Sequence, residues 1–373
     1  MCNSGWGGGL PHYIKRYNKN MKNNLKVFCD FHHASLLYSF ILLFEKRLGG
    51  FVYRPIGMEW AERGYWKVYD HPATQLQFLT ADQGYRPVDG TPPLNQIKDI
   101  QEGVYYCQDI DSGYYNKAIT FDKFMELDID IVIASIPQHV EPFKRLCALH
   151  PNRPKLIFQI GNSWTVDAGL APNIMASAII NNVPENINFI SYHQEFDLNL
   201  FKPQRLDDRR RISSFVNCFD SAEHFKDDWQ LFLKVERALP NWDFYALGGQ
   251  CRDGAAHGSD GLAKAINSSR FIWHTKNAGD GYGHIIHNAA ACGRPLIVKK
   301  QYYIGKLAEP LINDETSVII DGLNPQQIKD RIEAANEDDV HEKMSFAMYD
   351  KFKQVVNFDV EEIQLREFLE KLV

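Results

Sequence analysis

From Leu25 onward, short β-branched or aromatic runs alternate with longer helical patterns, and this alternation constrains the chain more than any other feature. Such a rhythm buries its apolar faces when the strands pair in parallel and the helices lie on both sides of the sheet. Residues 26–31 are strand-like, 34–48 carry apolar residues at helical spacing until Gly49 and Gly50 stop them, and 51–56 form a second strand-like run. The rhythm resumes with a buried-strand run at 130–135, a helix around 141–149, and strand-like runs at 155–160, 173–180 and 188–192. A polar stretch rich in Arg and Asp, 202–211, then interrupts it. Beyond that stretch the pattern starts again: strand 212–218, helix 227–239, strand 243–247, helix 261–267, strand 270–274, a helix from Gly283 to Cys292, strands 295–298 and 317–320, and a helix from Pro325. Residues 57–120, rich in Tyr, Gly, Pro and Asp, support no assignment beyond loops or insertions; Glu59, Trp60 and Trp66 there offer acidic and aromatic groups that suit either an acceptor surface or a core.

A chain of 373 residues exceeds the size at which one core stops growing, so two domains are expected. The expected fold is α/β, two doubly wound Rossmann-like domains facing a cleft, with 25–200 as the first, 201–345 as the second, and a helix over 346–373 that crosses back to the first. Residues 1–24, rich in Gly, Asn and Lys, are expected to be a disordered or mis-started leader. A formal net charge of -6 argues against nucleic-acid binding through overall charge. The 7 cysteines form no CxxC pair and no zinc-ligand spacing, so they are expected to be reduced thiols, and no metal site is expected. The longest apolar run, 36–44, is too short to span a bilayer, which suggests a cytoplasmic location without integral membrane association.

The stretch from Lys276 to Pro295 carries the chemistry. It sets a glycine-rich turn directly after a strand and directly before a helix, where backbone N–H groups and the helix dipole converge on one point that attracts phosphate. Gly281 and Gly283 remove the Cβ atoms that would block a ligand, the alanines at 289–291 let the helix pack closely on the sheet, and His284 and Asn288 fall on one helix face. A tight turn without a ligand has the same local pattern.

The run Asp280-Gly-Tyr-Gly-His-Ile-Ile-His-Asn-Ala-Ala-Ala-Cys-Gly-Arg-Pro295 resembles the donor-site signature of the large retaining family of GT-B glycosyltransferases, in which an acid, Gly, an aromatic and Gly lead to a second acid and then Ala-x-Ala-x-Gly-x-Pro. The resemblance implies that Asp280 contacts the donor sugar and Asn288, standing where the family has Glu, contacts the ribose. Gly281, Tyr282, Gly283, His284 and Ile285 complete the donor-binding turn. Residues 193–203 resemble the family's hinge, and 217–226 occupy the place of its Gly-Arg loop with a downstream Lys. Lys226 is then a diphosphate cation, while the Arg position has become Asn217 or Cys218, with Lys276 or Arg252 as substitute. Residues 128–139 resemble the strand whose end carries a His facing the transferred sugar, which selects His139; His32 and His33, after the first strand, are alternatives in the cleft.

By this resemblance the chain is a glycosyltransferase that takes a nucleoside diphosphate sugar, a UDP-sugar above others, as donor substrate, with retention and with neither metal nor other cofactor. Its acceptor is unknown: a glycan, a small molecule or modified DNA. One alternative is a phage-type DNA glycosyltransferase, suggested by Arg205 and Arg209 to Arg211, a run that equally suits a solvated linker. The other is a GT-B binding protein that has lost turnover, suggested by Asn288 and the missing Arg.

Overall fold

The computed structural model describes residues 24–30, 34–56, 59–65, 103–108, 115–161, 169–206, 210–277 and 280–372. Its strands form two sheets. The first runs β3-β4-β2-β1-β5-β6-β7-β8, from β1 (Lys26–Cys29) and β2 (Phe51–Pro55) through β3 (Val104–Gln108), β4 (Tyr115–Ile119), β5 (Ile131–Ala134), β6 (Lys155–Ile160) and β7 (Asn173–Ala176) to β8 (Asn188–Ser191). All its pairings are parallel except β3 with β4. The second sheet, β10-β9-β11-β12-β13, is parallel throughout and comprises β9 (Arg211–Ser214), β10 (Asp243–Ala246), β11 (Phe271–His274), β12 (Leu296–Val298) and β13 (Ser317–Ile319).

Each sheet has a point where the chain reverses its direction of winding, between β1 and β5 in the first and between β9 and β11 in the second. Loops leaving the carboxyl ends of strands on either side of such a point part to opposite faces and leave a crevice. The doubly wound expectation holds. In the 57–120 region, the described part of the sequence left unassigned supplies the antiparallel pair β3 and β4 at the sheet edge. Trp60 is core: its ring stacks on Phe28 at 4.9 Å between centroids and its indole N–H donates to the Ile119 carbonyl. The Glu59 carboxylate accepts from the backbone N–H of Phe121, and Trp66 lies outside the described residues.

Two helical segments depart from the sequence reading. The helix expected over 34–48 starts as α1 (Ala34–Phe40) but continues as a π-helix, Ile41–Arg47, which turns Tyr38 and Leu42 into the apolar cluster of the second sheet while Phe40, Ile41 and Phe44 stay with the first. The segment expected as one helix from 346 is two. One runs from Asp338 to Val355, and after a break the last spans Phe358–Glu370, where the Asn357 side chain accepts from the Val360 N–H and starts a new helix. Leu365, Phe368 and Leu369 of that last helix join the core of the first sheet.

The two halves are tied where the chain passes between them. Arg47 on the π-helix bridges Glu195 at 2.6 Å and Asp359 at 2.7 Å, and Nδ1 of His193 meets the Glu361 carboxylate at 2.7 Å. No helix among the described residues is long and apolar enough to cross a membrane.

Candidate functional site

The glycine-rich turn lies at the carboxyl end of β11, beside the reversal point of the second sheet. Asp280 opens it, 8% exposed, with Oδ2 at 2.9 Å from His274 Nε2 and Oδ1 at 3.4 Å from Lys276 Nζ. Burial alone raises a carboxyl pKa, but the hydrogen bond and charge of His274 and the charge of Lys276 outweigh it and hold Asp280 well below the usual carboxylate range. A carboxylate only accepts, so His274 Nε2 donates to Asp280, and its Nδ1 is buried without a hydrogen-bond partner among the described residues.

Gly283 precedes the helix His284–Ala291 with φ 81 and ψ 48, the left-handed region, and no side chain caps that helix. A Cβ at this position would stand 2.9 Å from the Ala308 Cβ, so glycine is required both by conformation and by space. The loop carrying Ala308 also brings in Lys306, whose ammonium is lowered from its ordinary value by burial and lies in the field of Asp280 and Lys276. Gly281 is buried and Ile285 is half-buried against the apolar cluster. Asn288 is 3% exposed, and its Oδ1 has no hydrogen-bond partner among the described residues.

Other expected donor residues lie elsewhere or face elsewhere. Tyr282 is 5% exposed, stacked on His287 at 4.3 Å, and its hydroxyl donates to the Gln194 carbonyl at 3.2 Å. It thereby fastens the turn to the crossover segment. His284 sets its ring edgewise on Tyr282. Lys226 is the first residue of its helix, two thirds exposed at 65%, and pairs with Glu223 at 3.0 Å. Arg252 is engaged by Glu236 and Asp253. The loop after β9, where a diphosphate Arg was missed, instead has Cys218 at φ 57, its N–H bonded to the Gly249 carbonyl.

In the first sheet, His139 is not at a strand end. The strand stops at Ala134, and the helix Pro137–Leu149 begins four residues before the expected 141 because Pro137 suits its first turn. His139 sits in that turn, 1% exposed, with Nδ1 at 2.8 Å from Asp30 Oδ2. The backbone N–H of Ser135 donates to the same oxygen at 2.7 Å, and the Ser135 hydroxyl bonds Asp30 Oδ1. Asp30 follows β1 and Ser135 follows β5, so this knot closes the reversal point of the first sheet. His32 and His33 lie outside the described residues. Asp30, His274 and Lys306 were absent from the candidates the sequence offered; position at or just past a strand's carboxyl end was the available signal for the first two, and nothing local marks Lys306.

Two Rossmann-like domains, each with its reversal point at the carboxyl end of a parallel sheet, define the GT-B architecture. No family model matches the sequence, and no curated protein matches it. Solved structures with the same fold include HepE of Anabaena in complex with UDP and glucose, at a TM-score of 0.57 and 11% identity over 94% of this chain and 100% of that one. Sucrose-phosphate synthase of Thermosynechococcus elongatus is similar at 0.55 and 9% identity, over 94% of this chain and 99% of that one. An alpha-glucosyltransferase in complex with UDP and a 13-mer DNA with a central A:G mismatch is similar at 0.53 and 10% identity, over 92% and 100%.

Proposed function

We propose that the protein is a glycosyltransferase that moves a sugar from a UDP-sugar to an acceptor hydroxyl, with residues 25–200 on the acceptor side and 201–345 on the donor side. One observation carries this reading: the uncapped helix at Gly283, with Asp280, Lys276 and Lys306 gathered at its start, at the reversal point of a GT-B domain. The complexes of fold relatives with UDP, and with glucose in one case, support UDP as the nucleotide.

In this reading the diphosphate rests on the amides of the first helical turn. Lys276 and Lys306 oppose the charge that grows on the leaving group, where a fixed cation acts without reorganising. Asp280, kept ionised and oriented by His274, accepts hydrogen bonds from sugar hydroxyls, and the open Oδ1 of Asn288 accepts one from the ribose. His139, on the opposite domain, faces the transferred sugar. Closure about the crossover near residue 200 excludes water from the donor. We assign the reaction retention and no metal on the resemblance of 280–295 to the retaining family, and a cytoplasmic location on its free thiols.

A thermal-shift screen of UDP-sugars against the wild type and Asp280→Ala tests the proposal. A ligand at about 100 times its Kd stabilises the native state by about 2.7 kcal/mol. The expected result is a shift in the wild type that Asp280→Ala loses, together with release of UDP from the same sugar. A wild type that neither shifts nor releases UDP from any of them is not this enzyme. A DNA acceptor is the second reading, supported by the DNA complex of the alpha-glucosyltransferase. Transfer to hydroxymethylated DNA falling steeply with salt identifies it, and transfer indifferent to salt excludes it.

A further inference from the structure

Two groups of one residue hold the carbonyl that begins the helix His284–Ala291. His287 directs its backbone N–H at the Gly283 oxygen, 3.1 Å away, and its ring Nδ1 at the same oxygen, 2.9 Å away. A carbonyl only accepts, so Nδ1 carries a hydrogen. The opposite nitrogen, Nε2, is buried without a hydrogen-bond partner among the described residues. An unpartnered polar atom in the interior is a cost that an apolar ring of similar shape would not incur, so what the imidazole supplies at this position is the Nδ1 hydrogen. The ring is kept in place for it. Tyr282 stacks on it at 4.3 Å and within 4° of parallel, and His193 lies 5.5 Å away between centroids, itself gripped by the Glu361 carboxylate through Nδ1 at 2.7 Å and the backbone N–H at 2.8 Å.

Glycine populates left- and right-handed backbone about equally, so Gly283 at φ 81 does not by itself fix the plane of the peptide that follows it. Two donors on its carbonyl do. The C=O and N–H of a trans peptide point in opposite directions, so a carbonyl drawn down the helix axis turns the N–H side of the first turn outward, to where Asp280, Lys276 and Lys306 gather.

We propose that His287 is the positioning residue of the donor turn, its Nδ1–H holding the Gly283 carbonyl so that the amides of the first helical turn face the diphosphate. This rests on the glycosyltransferase reading above and adds to it a residue that touches no substrate and acts only through Gly283.

Two variants separate the hydrogen bond from the ring. In His287→Asn the amide nitrogen stands as many bonds from Cα as Nδ1 does, which keeps the donor and removes the ring. In His287→Phe a ring remains for Tyr282 to stack on, and the donor is gone. Melting temperature and UDP affinity by titration are measured for the wild type and both variants.

The expected result is UDP binding weakened by about 10-fold in His287→Phe and by less than about 3-fold in His287→Asn, whichever of the two melts lower. A merely structural role makes affinity follow the packing of the ring instead, and so ranks the variants the other way. His287→Phe within about 3-fold of wild type, or His287→Asn binding as weakly as His287→Phe, overturns the inference while leaving the proposed function standing. A wild type that does not bind UDP overturns both. Should either variant not fold, ring nitrogen spectra of histidine-labelled wild type give the answer, with the His287 signals identified by their loss in His287→Gln. A hydrogen on Nδ1 supports the assignment, and a bare Nδ1 ends it.

Discussion

His274 Nε2 and Asp280 Oδ2 stand 2.9 Å apart, so the last residue of a buried strand is hydrogen-bonded to the first residue of the glycine-rich turn. The turn is therefore not a free loop. Its acid is oriented from the sheet, and Lys276 completes the hold at 3.4 Å.

This pair makes Asp280 a source of stability with a defined pH dependence. Its pKa is lowered in the folded protein, so the contribution is present above the unfolded value, near 3.9, and is lost as pH falls below it. The difference in melting temperature between wild type and Asp280→Asn is expected to be widest at neutral pH and to shrink toward about pH 3. A gap that does not narrow in acid contradicts the ion-pair reading.

His287 is fully buried and stacked on Tyr282, and burial, followed by the neighbouring His193, pushes it down to about 3. The ring is neutral in the folded state, while in the unfolded chain it takes a proton near pH 6.5. Between those values the unfolded chain binds more protons, so stability falls as pH drops. Urea unfolding at about pH 7 and pH 5.5 is expected to show a loss that His287→Gln reduces by roughly 1.4 kcal/mol. His341, lowered to about 4 mainly by burial, adds a second loss of the same sign over that interval.

Gly283→Ala is expected to lower stability by about 1–3 kcal/mol and to abolish UDP binding. Alanine at φ 81 is strained, and its methyl group would meet Ala308 at 2.9 Å, pushing away the loop that carries Lys306. Calorimetric unfolding and UDP titration of the variant check both parts. Wild-type behaviour in either removes the requirement for glycine.

The two candidate cations separate in a binding experiment. Lys276 is at the turn on Asp280, whereas Lys226 is 65% exposed and paired with Glu223. Lys276→Met is expected to weaken UDP by about 10-fold, consistent with one charge-assisted hydrogen bond, and to flatten the dependence of affinity on salt. Lys226→Met is expected to change it by less than about 2-fold. The reverse ranking returns the diphosphate to the loop after β9.

Much of the architecture was legible because its signals are local. Alternating strand and helix periods announce parallel βα units, the break at 202–211 separates two sets of them, and Gly281 and Gly283 before an apolar run mark the turn from which the helix His284–Ala291 starts. The π-helix after Phe40 was not legible, since helical apolar spacing is the same in α and π segments and the choice was made by packing against two clusters at once. Tyr282 looked like a donor contact from its place in the turn. Its actual partners, Gln194 and His287, depend on how the crossover segment lies against the second sheet.

The sequence by itself determined the order of elements outside 57–120, the two-sheet α/β class and the position of the glycine turn, because backbone preference and hydrophobic period act over a few residues. Only the tertiary structure decided which charges meet. Asp30 and His139 are 109 positions apart and become neighbours because β1 and β5 pair in the sheet, and Lys306 reaches the field of Asp280 because a later loop packs on Gly283. Strand order and loop docking are collective outcomes of burying every apolar face together, and no local spacing encodes them.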